Sequence, residues 1–206
     1  QVVADIVKSM GRAGAALTVA GFLDDDARLW GRRILGAPVL GPTDATPRCP
    51  FDALVVGIGS NPVRRTIALR WQERGGAFVT LVHPSAVVAK DVVLGPGTVL
   101  CAGAIVNTGS RIGSHAILNT ACSVDHHNII ADFAHIAPGA RLGGDVQVAE
   151  GTLVGIGAIV LPQRYVAAWA CVGAGAVVTR SVESSQTVIG VPAYPVPTPD
   201  REHVHI

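Results

Sequence analysis

Sixteen aliphatic residues recur at a strict six-residue interval, from Val88, Leu94, Leu100 and Val106 through to Val172 and Val178, with no insertion or gap. A period of six suits neither a helix, which repeats every 3.6 residues, nor an isolated strand, which repeats every two. It is the pattern of a β-solenoid, in which each short strand supplies one side of a coil.

The remaining positions of the hexapeptide agree. Four residues after the aliphatic sits a small or slim side chain, as at Ala104, Ser110, Ala116, Cys122, Ala134 and Ala140. Asn128 and Arg164 are exceptions. One residue after the aliphatic, glycine recurs at Gly95, Gly113, Gly143, Gly155 and Gly173. A narrow triangular coil explains all three. The branched side chain fills the interior, the small residue lets neighbouring rungs close up, and glycine is expected to relieve a sharp corner. Three hexapeptides make one coil, so residues 18 apart stack, at about 4.8 Å per rung.

Composition narrows the function classes. The chain of 206 residues is long enough for two small cores, and its net charge of +1 with 15% charged residues gives no electrostatic case for nucleic acid or an anionic membrane. No apolar run approaches a transmembrane span, and no signal peptide is read. Cys49, Cys101, Cys122 and Cys171 show no paired spacing, so reduced thiols and a cytoplasmic protein are expected.

Before residue 83 the period changes. Gln1 to Met10 reads as a helix with Val2, Val3, Ile6 and Val7 on one side. Leu17 to Leu23 reads as a strand running into Asp24, Asp25 and Asp26, and Ala37 to Leu40 as a short apolar stretch. Asp52 to Gly59 reads as a strand, Ser60-Asn61-Pro62 as a helix start, Gly75-Gly76 as its stop, and Phe78 to Val82 as a further strand. Alternating signals of this kind suggest a small parallel, Rossmann-like α/β unit. Its usual opening strand and glycine loop are not in this sequence, which begins inside the helix that should follow them. Three parts are expected: an α/β domain over 1–82, the solenoid over 83–183 and a tail over 184–206. In the first, the turn at Gly59 leads into a helix N-terminus able to hold an anion, and Asp24 and Asp25 at a strand end could contact a ribose or base, so all three are substrate-binding candidates. Each could equally be an ordinary turn or strand end. The tail, with His203 and His205, is assigned no function.

A solenoid surface is mostly small and apolar, so the stretch Asn119 to Asn128, with Asp125, His126 and His127, stands out, followed by His135. Metal-binding solenoids such as the hexapeptide carbonic anhydrases use a histidine pair five residues apart. No such pair exists here, so no metal is expected. Acid–base work is the stronger idea. Asp125 beside His126 could fix the imidazole tautomer and raise its basicity. Stacking places Thr108 and Gly144 on either side of His126, leaving the ring room to meet a substrate.

The strings QVVADI, GFLDDD, VHPSAVV, LNTACSVDHHNIIADFAHIAPGARLGG and VIGVPA resemble the bacterial hexapeptide acyltransferases that modify sugars of surface polysaccharides and glycans. The nearest branches are the nucleotide-amino-sugar N-acetyltransferases and the sialic acid O-acetyltransferases. The resemblance covers nearly the whole chain and implies a left-handed parallel β-helix, acetyl-CoA as cosubstrate and a homotrimer with active sites between subunits. It also implies roles. His126 falls on the catalytic base, Asp125 on an acidic neighbour that tunes it, and Asn119 near the sugar amine. His135 falls on a position contacting acetyl-CoA, and Ile156 and Ala174 where the backbone meets the pantetheine arm. The residue after the base is usually acidic in this family. Here it is His127, so the catalytic set His126, Asp125 and His127 lacks one carboxylate.

Spacing adds a geometric expectation. Ile156 and Ala174, 18 apart, share an edge, while His126, 30 residues before Ile156, belongs to another. Two adjacent solenoids can bring both edges to one substrate, in accord with the implied trimer. The expected reaction is acetyl transfer to the amine of a nucleotide-linked sugar. Its rivals are O-acetylation of a sugar hydroxyl and a solenoid that serves only as a scaffold.

Overall fold

The computed structural model describes residues 1–47 and 49–196. From Leu81 onward the chain winds as a three-sided parallel β-helix of two-residue strands. One face stacks 81–82, 99–100, 117–118, 135–136, 153–154 and 171–172, a second runs from 87–88 to 177–178, and a third from 93–94 to 165–166. Between Leu81 and Val178 every pairing of successive coils is parallel with a register of 18, as in Ile117 on His135 and Leu118 on Ile136, whereas in the last coil Val182 lies on Val166 and Thr187 on Cys171, a register of 16. Fourteen of the sixteen repeated aliphatics are buried, and Val88 and Leu94 pack at the open end of the same core. The small column beside them is sealed as well, with Ala104, Ala116, Cys122 and Ala134 all at 0% exposure.

The recurrent glycines act differently from the expectation. Gly95, Gly113, Gly143, Gly155 and Gly173 do not have positive φ. They are small because the next coil is too close: a Cβ at Gly95 would lie 2.6 Å from the Gly113 backbone. The sharp turns fall two residues later, where the chain takes a left-handed conformation in successive hexapeptides. That column includes Gly97, Gly103 and Gly109, but also His115, Ala121, His127, Phe133 and Asp145. A non-glycine residue there carries a conformational cost that the surrounding ladder offsets.

The N-terminal unit begins with helix α1, Val2–Arg12. It buries Ile6 and Val7 against Leu81, Val99 and Cys101, with Ala4 buried as well, whereas Val2 is exposed. Strands β1 (Phe22–Leu23), β2 (Arg33–Ile34) and β3 (Ala37–Gly41) form a small sheet. β1 is parallel to β3, but β2 and β3 form an antiparallel hairpin closed by Leu35 and Gly36, both at positive φ. The unit is therefore mixed, not purely parallel. Residues 52–59 do not form the expected strand. Their one ladder contact is Leu54 with Phe78, and no second strand among the described residues extends it. Helix α2, Asn61–Glu73, follows with Pro62 in its first turn and ends before Gly75 at φ +76. The expected strand over 78–82 divides: Phe78 pairs with Leu54, while Leu81–Val82 opens the first face of the solenoid. At the far end that face continues past residue 183. Thr187–Ile189 pairs with Cys171–Val172 and folds back on Tyr194–Val196. His203 and His205 lie outside the described residues.

One buried side chain makes hydrogen bonds from the N-terminal unit to two coils of the solenoid. Arg64 on α2 is fully buried. Its Nε donates to the His115 carbonyl at 2.9 Å and its terminal nitrogens donate to the carbonyls of Phe133 (2.7 Å) and Ile58 (2.8 Å) and to Asn61 Oδ1 (2.8 Å). His115 and Phe133 are neighbours in the left-handed column, so the guanidinium reads two successive coils. None of these partners is a carboxylate, and burial lowers the Arg64 pKa to about 10. Asn61 adds bonds to the Gly151 and Thr152 carbonyls. Replacing Arg64 with leucine leaves several buried carbonyls unpaired, each worth about 1–3 kcal/mol. Arg64→Leu should destabilise the docking of α2 by at least about 3 kcal/mol. Hydrogen exchange should then show residues 1–80 opening while the solenoid amides stay protected.

Candidate functional site

The segment Asp125–Asn128 turns the chain from the second face to the third, and it is pinned from inside. Asn128, an exception in the small-residue column, is fully buried. Its amide nitrogen donates to the Asp125 carbonyl at 2.6 Å and the Gly143 carbonyl at 3.0 Å, and its oxygen accepts from Val146 N–H. Ser110, directly below it, donates to the Asp125 carbonyl at 2.9 Å. A buried amide and hydroxyl thus hold the backbone from which the exposed His126 and His127 project.

Asp125 does not bind the imidazole of His126. Its Oδ1 accepts from the His126 backbone N–H at 2.9 Å and from Asn107 Nδ2 at 3.0 Å. These bonds, the Asn107 contribution first, hold its carboxyl below the ordinary range. The expected carboxylate–imidazole pair is absent because a residue's own following N–H lies closer than the adjacent ring, so Asp125 shapes the corner. The partner of the ring is His127, with the two Nδ1 atoms 3.0 Å apart and the rings edge to face. Glycines shape both rings' positions. A Cβ at Gly144 would lie 2.4 Å from His126 Cε1, and one at Gly109 would lie 2.6 Å from His127 Cδ2. His126 therefore rests on the coil above and His127 on the coil below. Asp145, one coil above His127, completes a group that the sequence reading missed: donor atoms of His126, His127 and Asp145 all lie within 4.8 Å of one another. Its signal was the 18-residue spacing from His127.

A second cluster lies on the first face and its edge. His135 Nε2 is 3.1 Å from Asn119 Nδ2, and the Gly59 backbone lies close enough to the ring to favour its protonated form. Asn119 and Gly59, expected to bind the nucleotide sugar, and His135, expected to contact acetyl-CoA, thus lie together. Burial, with the nearby Arg64 charge, lowers the His135 pKa to about 4, against the opposing influence of the Gly59 backbone. Ile156 and Ala174 stand exposed on the edge between the first and second faces, where Gly175 N–H bonds the Ile156 carbonyl. His126 lies on the edge between the second and third faces, so one solenoid does not bring these residues together.

The N-terminal candidates separate. Both carboxylate oxygens of Asp25 bind Thr43, at 2.7 Å to its N–H and 3.0 Å to its hydroxyl. Asp25 nevertheless borders an open groove of about 260 Å³ with Pro62, Val63, Thr66 and Arg70 of α2. Asp24 caps the turn at Asp26 N–H. Gly57 is needed for packing, since a Cβ there would lie 2.9 Å from Val3. Cys122 is fully buried, and desolvation raises its pKa to about 12, so it remains a thiol and is no nucleophile.

A three-sided solenoid with an exposed histidine at one corner and an α/β unit docked on its first face defines a hexapeptide acyltransferase. The chain belongs to the nucleotide-amino-sugar N-acetyltransferase family of these proteins. Residues 1–70 match the PglD N-terminal domain. The structure is similar to the acetyltransferase domain of PglB from Neisseria gonorrhoeae, at 33% identity over 95% of this chain and 93% of that one, with a TM-score of 0.85. It is also similar to a histidine-to-asparagine variant of perosamine N-acetyltransferase from Caulobacter crescentus solved with CoA and GDP-perosamine, at 35% identity over 96% and 91% of the two chains, with a TM-score of 0.87. UDP-N-acetylbacillosamine N-acetyltransferase of Bacillus subtilis is 38% identical over 94 residues, or 45% of this chain and 44% of that protein.

The depressed pKa of His135 has a consequence for stability. The unfolded chain takes up this proton near the ordinary histidine pKa, whereas the folded chain does so only near pH 4. The contribution of neutral His135 is complete above about pH 6.5 and declines as pH falls from there toward 4. Denaturation followed across this window should show that decline, and His135→Gln should flatten it. In an NMR titration the His135 ring should stay neutral at pH 5.5.

Proposed function

We propose that this protein transfers the acetyl group of acetyl-CoA to the amino group of a nucleotide-linked amino-sugar, in the cytoplasm, for bacterial surface polysaccharide or glycan synthesis. The observation that carries this reading is the exposed imidazole of His126, held by Gly144 and His127 on a corner pinned by Asn128. Only one proton fits between the two Nδ1 atoms. When His126 supplies it, its Nε2 is left as a free base. The acceptor amine attacks the thioester carbonyl, its proton passes to His126 Nε2, and the carbon–sulfur bond breaks to release CoA as thiolate. His127 then stabilises the imidazolium through the Nδ1 contact, in place of a carboxylate. Holding both substrates in register supplies much of the acceleration.

The expected assembly is a homotrimer with active sites between subunits. Supporting it, His126 and the Ile156–Ala174 edge occupy different corners of one solenoid, and outward apolar side chains remain exposed on the second and third faces, as at Val87, Ile129 and Tyr165. In this reading the 83–183 solenoid binds acetyl-CoA through Ile156, Ala174 and His135. The 1–82 unit holds the nucleotide sugar beside Asp25 and Gly59, with Asn119 near the amine, and Asp24 shapes the loop.

The test is CoA release from acetyl-CoA with a panel of UDP-, GDP- and dTDP-linked amino-sugars, with free sialic acid alongside. Release with a nucleotide amino-sugar is expected, and release with sialic acid alone would overturn N-acetylation. His126→Ala should lower kcat by about 10²–10⁴-fold while CoA binding and oligomeric state persist; a variant retaining most turnover would overturn the assignment of the base. Gly144→Ala should also lower kcat, with little effect on the melting temperature, because the added methyl displaces only the exposed His126 ring.

A further inference from the structure

We propose that His126, His127 and Asp145 form a binding site for a divalent transition-metal ion of the zinc class, and that its occupancy blocks acetyl transfer. The inhibitory part rests on the function proposed above; the binding part does not. The two Nδ1 atoms at 3.0 Å direct lone pairs into one small volume that holds a single proton. Two imidazole nitrogens bound to one zinc ion at tetrahedral angles lie about 3.3 Å apart, so little adjustment separates the free pair from a bound one. Asp145 completes the set within 4.8 Å, and its exposed side chain can rotate inward.

The donors are partly preorganised. His126 and His127 are adjacent on a corner pinned from inside by Asn128, and their rings rest against Gly144 and Gly109. Asp145 is tied to the same corner by its backbone N–H, which donates to the His126 carbonyl at 3.0 Å. The surroundings favour a cation, since the carboxylate of Asp125 lies in the same turn, where it accepts from the His126 backbone N–H. Two imidazoles and one carboxylate suit zinc, nickel or cobalt better than calcium or magnesium, which require mainly oxygen donors. Three protein ligands leave a position open for water.

Inhibition follows from the tautomer. An imidazole that binds metal through Nδ1 carries its proton on Nε2. That nitrogen is the one proposed to receive the proton of the substrate amine, so a metal-bound His126 is no longer a base. Glutamate in place of His127 would provide no second imidazole, and the site therefore belongs to chains with histidine at this position.

The experiment uses untagged full-length protein carrying His203→Ala and His205→Ala, so that the tail contributes no ligands. Titration with Co²⁺ is followed by its visible absorption, and with Zn²⁺ by calorimetry. One ion per chain is expected. Asp145→Asn should weaken binding by about tenfold or more, an amide being a poorer ligand than a carboxylate. Asparagine tolerates the left-handed conformation at this position, so the variant should fold. With acetyl-CoA and an accepted amino-sugar, Zn²⁺ should suppress CoA release, a chelator should restore it, and Asp145→Asn should keep its metal-free turnover but lose sensitivity. Lack of saturable binding, unchanged affinity in Asp145→Asn, or full turnover of the metal-loaded protein would overturn the proposal. If no amino-sugar is accepted, the function fails while the two titrations still decide whether the site exists.

Discussion

The register of 18 between coils is the constraint from which the rest of the structure follows. A hydrogen-bonded ladder on each of three faces locks every residue above its counterpart one coil below. Interior positions must then be filled by side chains that fit a column, and exterior positions acquire neighbours that sequence distance conceals. Asn107 reaches Asp125, Gly109 receives His127, and Gly144 supports His126, all through this vertical relation. The site is thus built from short-range corners and long-range columns.

Arg64 transfers that order to the N-terminal unit. A buried guanidinium is costly to desolvate, and its cost is offset only by complete hydrogen bonding. Its donors find that bonding in carbonyls of two successive coils, in the turn at Ile58 and in Asn61. The same turn presents Gly59 to His135, whose other contact is Asn119. A continuous polar path therefore runs from the start of α2 to the edge of the solenoid, where substrate groups are proposed to meet.

The solenoid was legible in the sequence because its signal is repeated: one six-residue pattern recurs sixteen times, and each instance corroborates the others. The α/β unit was only partly legible. The Leu35–Gly36 hairpin lacks the usual turn composition, and residues 52–59 look like a strand by apolarity but have a single ladder partner. At the site, His126 and His127 stood out by composition. Asp145 did not, because it reaches His127 from the coil above, a neighbour that spacing along one coil does not reveal. Asp125 shows the opposite error: adjacency in sequence suggested contact with the imidazole, but the backbone claimed its carboxylate. The role of the recurrent glycines was likewise misread, since turn strain and close approach between coils both select glycine but at different positions of the repeat.

The fixed register also limits how such a protein can diverge. An inserted or deleted residue within a coil would rotate every later position away from its column, exchanging interior aliphatics for exterior residues and separating His126 from Gly144. Change around the histidines is therefore channelled into replacement of one side chain by another at constant spacing, while length variation is confined to excursions that leave and rejoin a corner, or to whole coils gained at an end. Acceptor preference in this lineage should accordingly drift through the columns flanking His126 and through the non-solenoid N-terminal unit, where chain length is free to vary.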